Sequence, residues 1–163
     1  MHAKLCKMAG AARVIISDLS KERLDKCREI DKTFITIDDN LRDRVFELTD
    51  GRGVDVCVTA CAAPSAQAQA LELMAVGGRV SFFGGLPKDK ETVPLNTNYI
   101  HYKELKITGS TRASVSQFRK TLELVSVGVL SVKELVSGRF ALEDINAAFR
   151  LAANAKGMKS VIC

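Results

Sequence analysis

Tryptophan is absent from the 163 residues, tyrosine occurs twice, and aromatic side chains make up only 6% of the chain. With that shortage, and with no nucleic-acid motif, binding to DNA or RNA is not expected. Long apolar runs are missing too: none approaches the ~20 residues needed to span a bilayer, so no membrane association is expected. The opening residues, Met1-His2-Ala3-Lys4-Leu5-Cys6, contain neither the apolar core nor the cleavage site of a secretion signal. A cytoplasmic protein is the expectation. Five cysteines, an odd number without such a signal, argue against a disulfide framework. Cys57 and Cys61 are not a Cys-x-x-Cys pair and have no nearby histidine, so they read as small buried hydrophobes. His2 and His101 stand alone and read as surface or packing residues.

What is present is the composition of a soluble globular domain, 47% hydrophobic and 26% charged. The net charge of +5 comes from basic residues interleaved with acids, as in Ser20-Lys21-Glu22-Arg23-Leu24-Asp25-Lys26. Such mixing marks solvated helix faces and not a stripe that follows phosphates. There is no internal repeat and no low-complexity segment.

Short β-branched runs alternate with amphipathic stretches. The pattern predicts strands over Arg13–Ser17, Thr33–Thr36, Val54–Thr59 and Arg79–Phe83. Between them it predicts helices over Ser20–Ile30, Asn40–Leu48 and Ser65–Val76, the last closed by Gly77-Gly78. Strands separated by helices of about ten residues give βαβ units and a parallel sheet. The near-continuous apolarity of Val14–Ile16 and Val54–Val58 predicts burial on both faces. The fold class is therefore α/β, a Rossmann-like doubly wound parallel sheet.

The second half is less regular. A loop over Gly84–Asn98 leads to a short helix at Tyr99–Lys103 and an edge strand at Glu104–Thr108. Helices are expected over Ser116–Val127, with Phe118, Leu122 and Val125 facing a core, and over Leu142–Lys156, with Leu142, Ile145, Phe149 and Ala152 in one stripe.

Asp18 stands at the carboxyl end of the first predicted strand, just before a helix. In dinucleotide-binding sheets an acid there accepts hydrogen bonds from the adenosine ribose, and its charge repels a 2′-phosphate, favouring NAD over NADP. Arg23, early in the following helix, would stack on adenine or brace the ribose. On spacing alone a second reading of Asp18, as a helix-capping carboxylate, stays open. The Gly-x-Gly-x-x-Gly turn that belongs roughly 20 residues upstream is absent. Gly10 is the one glycine there and reads as a helix C-cap.

The run Ala3-Lys4-Leu5-Cys6-Lys7-Met8-Ala9-Gly10-Ala11-Ala12-Arg13-Val14-Ile15-Ile16-Ser17-Asp18 resembles the segment after the glycine motif in zinc-dependent medium-chain alcohol dehydrogenases, above all their sorbitol (iditol) and threonine dehydrogenase branch. The similarity continues through 48–56, 75–80, 98–104, 106–110, 138–144 and 156–162, in order and with family spacing.

The resemblance implies a cofactor-binding portion of an NAD-dependent secondary-alcohol or polyol dehydrogenase. It assigns Asp18 and Arg23 to the ribose. Thr59, Ala60 and Cys61, up to Ala62, match the turn near the cofactor, with alanines and a cysteine where the family often has glycine. Phe83, Gly84 and Gly85 match the loop beside the nicotinamide, and Ser110, Thr111 and Arg112 another wall of that pocket. Lys159 falls near the pyrophosphate or is a solvent-exposed lysine. It divides the chain into an NAD-binding part, 1–130, and a segment, 131–163, that packs back toward a catalytic domain.

It also implies what this sequence lacks. The zinc ligands belong to an N-terminal catalytic domain, and none of them has a match here; the first sheet strand is likewise absent. In the strand order 3-2-1-4-5-6 that strand is central, so a gap is expected between Val14–Ser17 and Val54–Thr59. The expectation is a fragment of a longer enzyme that is inactive by itself, with homodimer pairing through the edge strand Glu104–Thr108. A non-catalytic interaction module is the alternative. A methyltransferase-like α/β enzyme would need the same missing glycine turn.

Overall fold

The computed structural model describes residues 1–154 and 156–163, which form two compact units. One comprises Met1–Asp39 with Ser114–Cys163, the other Asn40–Ala113.

In the first unit, α1 (His2–Met8) ends at Ala9 and Gly10, whose φ of +88° is the left-handed cap expected there. β1 (Val14–Ser17), α2 (Lys21–Ile30) and β2 (Phe34–Ile37) each lie within a residue or two of their predicted places. β1 and β2 are parallel, with Val14 opposite Phe34 and Ser17 opposite Ile37. Leu24 is the buried anchor of α2, and the Ser20 hydroxyl caps the helix by accepting from the Arg23 amide.

The second unit is built on α3 (Leu41–Leu48), β3 (Val54–Thr59), α4 (Pro64–Glu72), β4 (Met74–Phe82), α5 (Thr97–Tyr102) and β5 (Lys106–Gly109). Its sheet is wholly parallel in the order β3-β4-β5. Ala70, Leu71, Met74, Val80 and Leu105 form the core on one sheet face, with Cys57, Phe82, Tyr99, Ile100 and Ile107 packed around them. Lys103 ties the unit together. Its Nζ donates to the carbonyls of Glu72 (3.0 Å) and Met74 (2.8 Å), satisfying acceptors left open at the end of α4.

The rest of the chain belongs to the first unit. It contains α6 (Val115–Ser126), β6 (Val136–Phe140), α7 (Ile145–Ala153) and β7 (Lys159–Ile162), with β6 and β7 a parallel pair that the sequence pattern did not reveal.

Among the described residues β1 pairs only with β2, and β3 only with β4.

Several expectations need correction. The helix predicted over Ser65–Val76 stops at Glu72, because Met74 already pairs with Val54. Gly77 and Gly78 therefore lie inside β4, at the irregularity between the Val54 and Val56 pairings, not at a helix end. Burial on both sheet faces fails at Val56, which is 47% exposed. Phe118 and Leu122 do not face a core but are 59% and 52% exposed. In the last helix Leu142 and Phe149 are exposed and Ala148 is the buried residue; the helix expected to run to Lys156 ends at Ala153, and residue 155 lies outside the described residues. The edge strand begins at Lys106 and not Glu104, whose φ of 52° closes the turn after α5.

Candidate cofactor site

In the first unit Asp18 follows directly on the carboxyl end of β1. Its Oδ1 accepts from the Ser20 amide at 2.8 Å, an Asx turn that fixes the carboxylate at the entrance to α2. Oδ2 stands 3.9 Å from an Arg23 guanidinium nitrogen, both side chains remaining about one-third exposed. At that distance and exposure the pair contributes little to stability. Arg23 Nε is buried without an acceptor, an unusual condition for a guanidinium. The capping reading and the ligand reading of Asp18 are therefore compatible, since one oxygen serves the backbone and the other faces Arg23.

Lys159, at the start of β7, is exposed. Its charge is felt at the Met1 ammonium, which burial holds below its ordinary pKa; Lys4 and Lys159 add repulsion, against the opposing Cys27. Lys159 thus lies near the beginning of α1.

In the second unit, register explains the grouping of the other nine candidates. Thr59, Phe82 and Gly109 lie side by side in one row at the carboxyl ends of β3, β4 and β5. The three segments that follow, Ala60-Cys61, Phe83-Gly84-Gly85 and Ser110-Thr111-Arg112, leave the sheet from that row. In open α/β sheets ligands bind outside this end of the strands. Hydrogen bonds join the segments: the Gly84 amide donates to the Thr59 carbonyl at 2.8 Å, and the Ser110 amide to the Phe82 carbonyl at 3.4 Å.

Gly84 has a steric reason for being glycine. A Cβ there would overlap the Cys61 backbone, 2.7 Å from its carbonyl carbon. Gly85 faces open space, and Phe83 is 51% exposed. Thr59 is buried, whereas Ala60, Cys61, Thr111 and Arg112 are exposed, Arg112 with a φ of +60°. Burial pushes the Cys57 thiol up to about 11, with Cys61 adding to the effect.

Gln67 escaped the sequence reading. It is buried in α4, and its Nε2 donates to the Gly84 carbonyl at 3.2 Å, holding the loop that carries Phe83 and Gly85. An amide among the alanines of that helix was the available signal. Among the described residues no cluster of three or more His, Cys, Asp or Glu side chains is placed to hold a metal ion. Nor is any described helix long and apolar enough to cross a membrane.

A family model described as zinc-binding dehydrogenase matches residues 1–127. The chain belongs to the zinc-binding dehydrogenase family. It is 30% identical over 161 residues to a sorbitol dehydrogenase of Bacillus subtilis, covering 96% of this chain and 44% of that protein. It is 31% identical over 166 residues to an L-threonine 3-dehydrogenase of the same organism, covering 99% and 47%. Among solved structures it superposes on an alcohol dehydrogenase from Thermotoga maritima with a TM-score of 0.86 at 25% identity, over 98% of this chain and 45% of that one. A 2R,3R-butanediol dehydrogenase from Bacillus subtilis gives 0.85 at 25% identity, over 98% and 46%. The chain spans less than half the length of these dehydrogenases. The fold class and the family expected from the sequence both stand, and the matching region is the Rossmann-like part.

Proposed function

We propose that this chain is the NAD-binding portion of a zinc-dependent secondary-alcohol or polyol dehydrogenase. The observation that carries the proposal is the Asp18–Arg23 arrangement at the carboxyl end of β1. A carboxylate with one oxygen directed away from the backbone suits a ribose diol, and the partly exposed Arg23 guanidinium beside it offers donors to the same ligand. The family and its sorbitol and threonine dehydrogenase relatives support the same reading.

In this reading residues 1–130 carry the cofactor contacts and 131–163 return toward a catalytic domain. Asp18 and Arg23 hold the adenosine ribose, and Lys159 meets the pyrophosphate. Thr59-Ala60-Cys61, Phe83-Gly84-Gly85 and Ser110-Thr111-Arg112 line the nicotinamide. Zinc, bound by ligands outside this chain, would polarise the alcohol whose hydride passes to NAD. NAD is preferred to NADP because the Asp18 carboxylate would stand against a 2′-phosphate. Five cysteines, all free thiols, suit a reducing cytoplasm. The outer edge of β5 pairs with nothing among the described residues, and two such edges would join two copies in one continuous sheet.

Thermal unfolding with NAD and NADP tests the proposal. A ligand bound only by the native state raises the melting temperature with concentration. NAD is expected to stabilise the chain more than NADP, and Asp18→Ala to lose most of the NAD effect, with affinity falling about tenfold, or ~1.4 kcal/mol. No shift at millimolar NAD, or the same shift in Asp18→Ala, would remove the basis of the assignment.

A further inference from the structure

Helix α4 buries three residues, Gln67, Ala70 and Leu71, at the spacing of three and four that puts them on one side. An amide in that position is costly unless it is hydrogen-bonded, whereas a leucine would fill the place without the cost. Gln67 meets the condition with a group distant in sequence. Its side chain faces the Gly84 carbonyl at 3.2 Å, 17 residues further on, in the loop after β4. A carbonyl only accepts, so the atom turned to it is Nε2.

Gly84 is held on both sides of its Cα. Its amide donates to the Thr59 carbonyl at 2.8 Å, and its carbonyl is taken by Gln67. A side chain is excluded by the Cys61 backbone, so no other residue type lets the loop approach this closely. In a trans peptide the carbonyl and the following N–H point in opposite directions, and no described peptide bond is cis. Drawing the Gly84 carbonyl onto α4 therefore turns the Gly85 N–H away from that helix. Gly85 is exposed, a Cβ there would meet nothing within 4 Å, and its amide finds no acceptor among the described residues. The outcome is a backbone donor of fixed direction, facing open space beyond the row of Thr59, Phe82 and Gly109.

We propose that Gln67 is a positioning residue of the cofactor site: by holding the Gly84 carbonyl it presents the Gly85 amide to the carboxamide oxygen of a bound nicotinamide. A donor whose direction is set in advance binds that oxygen without first losing freedom of its own. The proposal rests on the reading of this chain as NAD-binding and adds the group that meets the nicotinamide end. With leucine at position 67 the Gly84–Gly85 peptide is free to rotate, while Asp18 and Arg23, in the other unit, are unchanged.

Calorimetric titration of the full 163-residue chain with NAD and with ADP-ribose, which lacks only the nicotinamide, tests it. Gln67→Leu should weaken NAD about fivefold, the effect of losing one hydrogen bond, and leave ADP-ribose unchanged. Gln69→Leu, at an exposed position of the same helix, should change neither. In the wild-type chain the Gly85 amide proton should move downfield with NAD and stay in place with ADP-ribose. That measurement needs no variant and decides alone if Gln67→Leu does not fold. A Gln67 that serves only packing would lower the melting temperature and leave the ratio of the two dissociation constants as it was, which overturns the proposal. So would a Gly85 amide that responds alike to both ligands. Binding of both ligands with an unmoved ratio strikes this proposal alone, whereas no binding of either at millimolar concentration removes the NAD-binding reading and this proposal with it.

Discussion

Cys57 and Cys61 sit four residues apart and should differ sharply in reactivity. The thiolate is the nucleophile, and burial raises the Cys57 pKa to about 11, whereas Cys61 is exposed. Alkylation with iodoacetamide at pH 8 should modify Cys61 well before Cys57, by at least tenfold in rate, as read by mass spectrometry of peptides. Equal rates would mean that the turn after β3 opens freely. At this scale Asp18 was legible, because an acid at a strand end before a helix is a positional signal carried by two neighbouring elements. The orphaned Arg23 Nε was not, since the burial of one guanidinium nitrogen is set by tertiary packing that sequence spacing does not show. Gln67 was hidden for a related reason: its partner, the Gly84 carbonyl, is 17 residues away and is brought near only by the β3–β4 pairing.

Helix α2 ends in a turn that depends on pH. The Asp31 carboxylate accepts from the Thr33 hydroxyl at 2.7 Å and from the Thr33 amide at 2.8 Å. These bonds favour the ionised form and hold its pKa below the ordinary 3.8. A lowered carboxylate pKa contributes stability above the unfolded value and loses it as pH falls through the lower folded value. The melting-temperature difference between the wild-type chain and Asp31→Ala should therefore be constant from pH 7 to about 5 and shrink below about 4. A difference that grew on acidification would contradict the assignment. The elements themselves were well read wherever periodicity and breakers agreed, as in β1, α2, β2 and α3. Where a strand follows a helix within two residues, as β4 follows α4, the apolar run is common to both and the boundary moved. For α6 the period correctly marked an apolar face, but period alone does not say whether the chain supplies anything to cover it.

Over the whole molecule, the parallel sheets and their order followed from alternating strands and helices, while the separate β6–β7 pair did not. Those two strands are short, carry Gly138, Arg139, Lys159 and Ser160, and lack the apolar continuity that marked the others. The free edges of β1 and β3, together with coverage of less than half of the related dehydrogenases, set the functional expectation. Mixed with NAD, zinc and a panel of polyols and secondary alcohols, the chain alone should give no NADH absorbance above background. Robust reduction would show that it contains a catalytic centre.

The central claim is that Asp18 and Arg23 grasp the sugar of a dinucleotide, and its most direct test is residue-resolved. In an amide correlation spectrum of isotope-labelled chain titrated with NAD, the account predicts progressive shifts at Asp18, Ser20 and Arg23, and at Gly84, Gly85 and Ser110. Asp18→Ala should diminish them together. An unchanged spectrum at millimolar NAD, or shifts that leave the residues after β1 untouched, would contradict it.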